Sequence, residues 1–119
     1  MNRTALFPGS FDPFTLGHKI VVDQGLELFE RIVIAVGVNT EKRGLLTPEN
    51  RARLIRDLYR NDSRIEVVIY NELTGKVCRQ LGIDTILRGL RNTVDFEYER
   101  NIMQVNQTLF PEIKTVLLF

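Results

Sequence analysis

Eleven residues near the start of this chain, Pro8-Gly9-Ser10-Phe11-Asp12-Pro13-Phe14-Thr15-Leu16-Gly17-His18, constrain its fold more than any other stretch. The apolar run Thr4 to Phe7 before them reads as a buried strand, the Pro/Gly/Asp cluster as a tight loop, and Gly17 to Phe29 as a helix. A loop of this kind aims a helix N-terminus at its own concavity. Free backbone N–H groups and the positive end of the helix dipole make that spot receptive to phosphate. His18, in the first helical turn, adds a side-chain donor. The plainer alternative is a strand-to-helix connection whose glycines serve only backbone geometry, and the density of the pattern argues against it.

The remaining strands read as short continuous runs of Val, Ile and Leu rather than alternating ones: Arg31 to Val38, Ile65 to Ile69, Thr85 to Leu87 and Thr115 to Phe119. Such runs mark parallel strands covered on both faces. Helical stretches separate them. Val22, Leu26 and Phe29 recur at helical spacing in the first. In the second, Thr47-Pro48-Glu49 is a cap followed by proline at the first helical position, with Ile55, Leu58 and Tyr59 on one face. A third covers Thr74 to Leu81 and ends at Gly82, and a fourth, about Val94 to Leu109, sets Tyr98, Ile102, Val105 and Leu109 on a stripe expected to be core. The expectation is an α/β domain: a doubly wound, Rossmann-like, five-stranded parallel sheet with helices on both faces. Ligands of such sheets sit beyond the carboxyl ends of the strands, near the switch in strand order.

Composition narrows the partners. The chain has 119 residues, enough for one domain, and 16 basic residues nearly balance 15 acidic ones, giving a net charge of +1. That balance gives no case for nucleic acid or an anionic membrane as partner, so phosphate binding must be local. No apolar stretch approaches the roughly 20 residues that span a bilayer, and a cytoplasmic location is expected. The single cysteine, Cys78, excludes an internal disulfide and reads as a buried structural thiol.

Three strand ends carry the candidate chemistry: Ser10 with the glycine loop, the polar run leading to Lys42, and Arg88-Gly89-Leu90-Arg91. Placed along one edge of the sheet, they gather positive charge and phosphate-seeking N–H groups, with guanidinium forks matched to phosphate oxygens. Lys42 alone reads by default as a solvated loop lysine, and Arg88 is equally an ion-pair partner of Asp95 or Glu97. The acidic residues Asp95, Glu97 and Glu99 favour the dipole at the start of the last helix. No protein ligand set for a tight metal site is evident. In-line attack on a nucleotide phosphorus needs little from side chains beyond orientation and charge stabilisation, which these groups suit.

The loop from Pro8 to His18 matches the G-[ST]-F-D-P-x-[TH]-x-G-H pattern of the nucleotidyltransferase superfamily. With Arg88-Gly89-Leu90-Arg91-Asn92-Thr93-Val94-Asp95-Phe96-Glu97-Tyr98-Glu99, the chain resembles the bacterial phosphopantetheine adenylyltransferase family over essentially its whole length. The resemblance implies adenylyl transfer from ATP to 4'-phosphopantetheine, giving dephospho-coenzyme A and pyrophosphate, with Mg2+ assistance. It implies ATP-binding residues Ser10, Phe11, His18, Gly89, Leu90, Arg91 and Glu99, with His18 stabilising the transition state. It likewise implies that Ser10, Lys42 and Arg88 meet the pantetheine phosphate, while Leu73, Thr74 and Asn106 line the pantetheine arm. A homohexamer, and coenzyme A as a product-like inhibitor, follow from the same resemblance. One domain over residues 1–119 is expected, without the family's C-terminal serine-rich segment that grips the ATP phosphates. Two alternatives stand beside this reading. Transfer to nicotinate mononucleotide, or from CTP, is disfavoured by Thr15, where such members place histidine. A binding module without turnover is the other.

Overall fold

Residues 3–38, 46–90 and 103–118 are described by the computed structural model. The glycine-rich turn links strand β1, Thr4–Gly9, to helix α1, Leu16–Leu28. Strand β2, Arg31–Gly37, helix α2, Pro48–Leu58, strand β3, Ile65–Tyr70, helix α3, Thr74–Leu81, and strands β4, Thr85–Gly89, and β5, Lys114–Leu118, follow. Residues 103–109 are also helical. Among the described residues the five strands form one sheet in the order β3-β2-β1-β4-β5, and every pairing is parallel. The chain winds outward from β1 through β2 to β3, then crosses to β4 on the other side. The switch in strand order therefore lies between β1 and β4.

The unbroken apolar runs explain the sheet's burial. Leu6, Ile32, Ile34, Val36 and Leu87 are fully or almost fully buried because helices cover both faces. On one face Phe7, Ile34 and Leu87 pack with Val22 of α1 and Ala52 and Ile55 of α2. On the other, Leu6, Val33, Ala35 and Ile86 pack with Cys78 of α3 and with Phe110. Each such Val, Leu, Ile or Phe side chain contributes roughly 1.5–3 kcal/mol by leaving water.

Local chemistry sets the helix ends. Thr47 caps α2 by accepting the Asn50 N–H at 3.1 Å, with Pro48 at the first helical position. Gly82 ends α3 in the left-handed conformation, φ 70°, that side chains resist. Arg79 lies 4.6 Å over the Phe110 ring and pairs with Glu112, tying α3 to the segment after residue 109.

Two packing expectations need correction. Val105 and Leu109 are 58% and 51% exposed, so that part of the last helix's apolar stripe faces away from this chain's core; Tyr98 and Ile102 lie outside the described residues. Leu58, placed with Ile55 and Tyr59, is 52% exposed at the last turn of α2, whereas Ile55 is buried and Tyr59 packs against the core. Strand boundaries shift slightly, with β1 running on to Gly9 and β5 beginning at Lys114. Among the described residues no helix is long and apolar enough to cross a membrane.

Candidate active site at the carboxyl edge of the sheet

The turn after β1 is built around one strained residue. Phe11 has φ 50°, a conformation that costs a non-glycine residue on the order of 1 kcal/mol or more and persists only when its surroundings dictate it. Here they do. Its ring is 2% exposed and meets Phe7, Phe14 and His18 at centroid distances of 5.1, 5.4 and 5.0 Å. Gly9 must be glycine because a Cβ there would come within 2.9 Å of that ring.

His18 sits at the third position of α1 and closes the helix end together with Thr15. The Thr15 hydroxyl accepts the His18 N–H at 3.4 Å, while the Thr15 N–H donates to His18 Nδ1 at 2.9 Å. Thr15 Oγ1 is also 3.1 Å from Nδ1. A backbone N–H can only donate, so Nδ1 is the acceptor of the Thr15 bond. An Nδ1 that accepts leaves the imidazole proton on Nε2, so His18 presents a donor at the rim.

Across the sheet edge lies an open cleft of about 450 Å³, lined among others by Ser10, Thr74, Arg88, Met103 and Asn106. It occupies the position where the strand order switches, as the fold requires. Arg88 reaches it from β4, with Nη1 donating to the Pro8 carbonyl at 2.8 Å. Tyr70 and Thr74 join their hydroxyls at 3.2 Å to form one wall. Leu73 lines the cleft and is 61% exposed; as the residue before α3 it has no side-chain oxygen to close the first turn, so that helix start opens onto the cleft.

The expected site residues thus divide into four groups. Ser10, Leu73, Thr74, Arg88 and Asn106 share the cleft. His18 and Phe11 stand on the α1 side of the same rim and do not line it. Gly89 and Leu90 leave β4 at this edge; Leu90 is buried and donates its N–H to the Leu118 carbonyl at 2.8 Å. Gly89 is required by packing, since a Cβ would lie 2.7 Å from Val21 of α1. Lys42, Arg91 and Glu99, with Asp95 and Glu97, lie outside the described residues.

Two residues that sequence reasoning passed over stabilise the turn. Asp12 accepts the Leu46 N–H at 3.0 Å, fastening the turn to the start of α2. Arg51, 7% exposed, donates to the carbonyls of Ser10, Gly37 and Leu46 at 2.6, 3.3 and 3.1 Å. Arg51 stands four residues before Ile55, on the stripe that faces the sheet, but an arginine there gives no sequence signal that sets it apart from Arg53 and Arg56. Cys78 is fully buried, and burial pushes its thiol up to about 11, as a structural thiol requires.

Comparison with known proteins agrees with this geometry. Residues 6–116 match the family model for cytidylyltransferase-like proteins. A phosphopantetheine adenylyltransferase of Flavobacterium psychrophilum is 45% identical over 116 residues, covering 98% of this chain and 76% of the relative. That of Lactobacillus johnsonii is 46% identical, covering 97% and 70%. Among solved structures, a lipopolysaccharide core biosynthesis protein from Thermoplasma volcanium superposes with a TM-score of 0.72 over 98% of this chain and 96% of its own; at 20% identity it speaks for the fold alone. The switch-point cleft, the capped histidine and the extent of identity agree: this chain belongs to the phosphopantetheine adenylyltransferases.

Proposed function

We propose that the chain transfers the adenylyl group of ATP to 4'-phosphopantetheine, releasing pyrophosphate and forming dephospho-coenzyme A. The observation that carries this reading is one rim holding a histidine donor on its α1 side and a phosphate-seeking cleft on its α3 side, with Ser10 between them. A phosphate oxygen of 4'-phosphopantetheine attacks the α-phosphorus of ATP, the new P–O bond forms, and the bond to the β-phosphate breaks with pyrophosphate leaving. The nucleophile is already an anion, so no general base is required. His18 Nε2–H donates to the α-phosphate oxygens as charge accumulates on them. Arg88, with Lys42, holds the attacking phosphate in line; Leu73, Thr74 and Asn106 accommodate the pantetheine arm. Gly89, Leu90, Arg91 and Glu99 are assigned to the adenosine side.

Among the described residues no three His, Cys, Asp or Glu side chains converge to hold a cation. Mg2+ bound with ATP would supply charge neutralisation at its phosphates. A homohexamer in the cytoplasm, inhibited by coenzyme A, completes the proposal. Light scattering of the purified protein tests the assembly.

Incubation with ATP and 4'-phosphopantetheine, read by pyrophosphate release and the mass of the nucleotide product, tests the reaction. The expected result is dephospho-coenzyme A, with no product when nicotinate mononucleotide is the acceptor. Binding of both ligands without pyrophosphate release would replace the enzyme by a binding module.

A further inference from the structure

The buried guanidinium under the turn has no part in the reaction as written. It sits where three segments distant in sequence converge: the end of the β1 turn, the exit of β2 and the residue before the α2 cap. Two of the three carbonyls that it binds belong to Ser10 and Gly37, both of which line the cleft.

The consequence follows from the planarity of the peptide. Arg51 Nη1 draws the Ser10 carbonyl inward at 2.6 Å, and a trans peptide sends the N–H of the next residue the opposite way. That next residue is Phe11, held in the left-handed region by its packed ring. Carbonyl oxygens facing a polyphosphate repel it, whereas N–H groups bind it. We infer that Arg51 is a positioning residue of the nucleotide site, which withdraws the Ser10 and Gly37 carbonyls beneath the floor and so turns the Ser10–Phe11 peptide N–H toward the bound phosphates. This inference rests on the reading of the site as a nucleotide site.

The role is specific to the guanidinium. Lysine keeps the charge but replaces the planar fork by one compact head. The pantetheine side has further anchors, Arg88 on the Pro8 carbonyl and Tyr70 on Thr74, that take no hydrogen bond from Arg51.

Calorimetric titration of the folded wild type and of Arg51→Lys, with ATP and separately with 4'-phosphopantetheine, tests the inference. Arg51→Lys is expected to bind ATP about tenfold more weakly at unchanged stoichiometry, and 4'-phosphopantetheine within about threefold of wild type. A purely structural role would lower the folded fraction, hence the stoichiometry, and leave both affinities of the folded molecules alone; that result overturns the inference. Wild type that fails to bind ATP would overturn the site reading as well. If Arg51→Lys does not fold, amide NMR of the wild type decides. Addition of ATP is expected to move the Phe11 amide strongly, and an unmoved Phe11 amide at saturating ATP contradicts the proposal.

Discussion

The two sides of the rim are built on different principles. On the α1 side, His18 lies among Phe7, Phe11 and Phe14 and both ends of its capping contact with Thr15 are satisfied, so its donor is fixed before any ligand arrives. On the α3 side the cleft is open, with an exposed Leu73 and a wall held by one hydroxyl pair and by the contact of Phe110 with α3. Charge that develops in a transition state rewards the first arrangement, because preorganised donors need no reorganisation at the moment of reaction. A long flexible substrate arm tolerates the second. The difference separates where rate is set from where the substrate is chosen.

Changes on the α1 side should therefore act on turnover, and changes on the α3 side on substrate affinity. The largest expected effect is from His18→Ala, which should lower kcat by about 10²–10³-fold while the KM for 4'-phosphopantetheine moves little. Steady-state kinetics check the split; a change confined to KM would erase the distinction. Gly75→Ala should act oppositely. Its Cβ would fall 2.2 Å from Phe110 Cδ2, so the Phe110 ring must move away from α3, costing about 1–3 kcal/mol in urea unfolding and raising that KM more than it lowers kcat.

Thr15→Val should cost about 1 kcal/mol through the lost cap. Because the sequence holds one histidine, a 15N spectrum of the imidazole reads its tautomer without overlap. Wild type should show the proton on Nε2, and Thr15→Val a smaller share of that form.

The smallest effect compares the two sides by alkaline titration. Burial raises the Cys78 thiol from 9.0 to about 11 on the α3 side. Burial, aided by Asp23 and Asp62, raises Tyr59 from 10.0 to about 12 on the α1 and α2 side. Both groups are raised when folded, so the folded state holds its protons longer and stability falls as pH rises above the unfolded values. The loss begins near pH 9 for Cys78 and near pH 10 for Tyr59, and amounts to under about 1 kcal/mol from the thiol at pH 9.5. Urea midpoints between pH 8 and 10 should fall for wild type and flatten in Cys78→Ala.

Much of this architecture was legible in the chain. Ile32-Val33-Ile34-Ala35-Val36 has no polar break and became a central strand; Thr47-Pro48 and Gly82 mark helix ends where the structure has them. Ser10, Arg88, Thr74 and Asn106 meet because each lies at the carboxyl end of a strand, just past one, or on a helix beside one. Three features were not legible. The division of the rim into two sides depends on which face of the sheet each side chain takes. Arg51 resembles Arg53 and Arg56 in sequence, and only its tertiary neighbours bury it. Val105 and Leu109 follow a core-like period yet stay exposed, since periodicity names an apolar face and not what covers it.

Amide chemical-shift mapping with 4'-phosphopantetheine tests the central division most directly. The account predicts that shifts concentrate at Tyr70 to Thr74, Arg88 and Asn106, and that later addition of ATP moves Ser10, Phe11 and His18. Shifts from 4'-phosphopantetheine centred on α1 and His18, with the cleft residues unmoved, would contradict it.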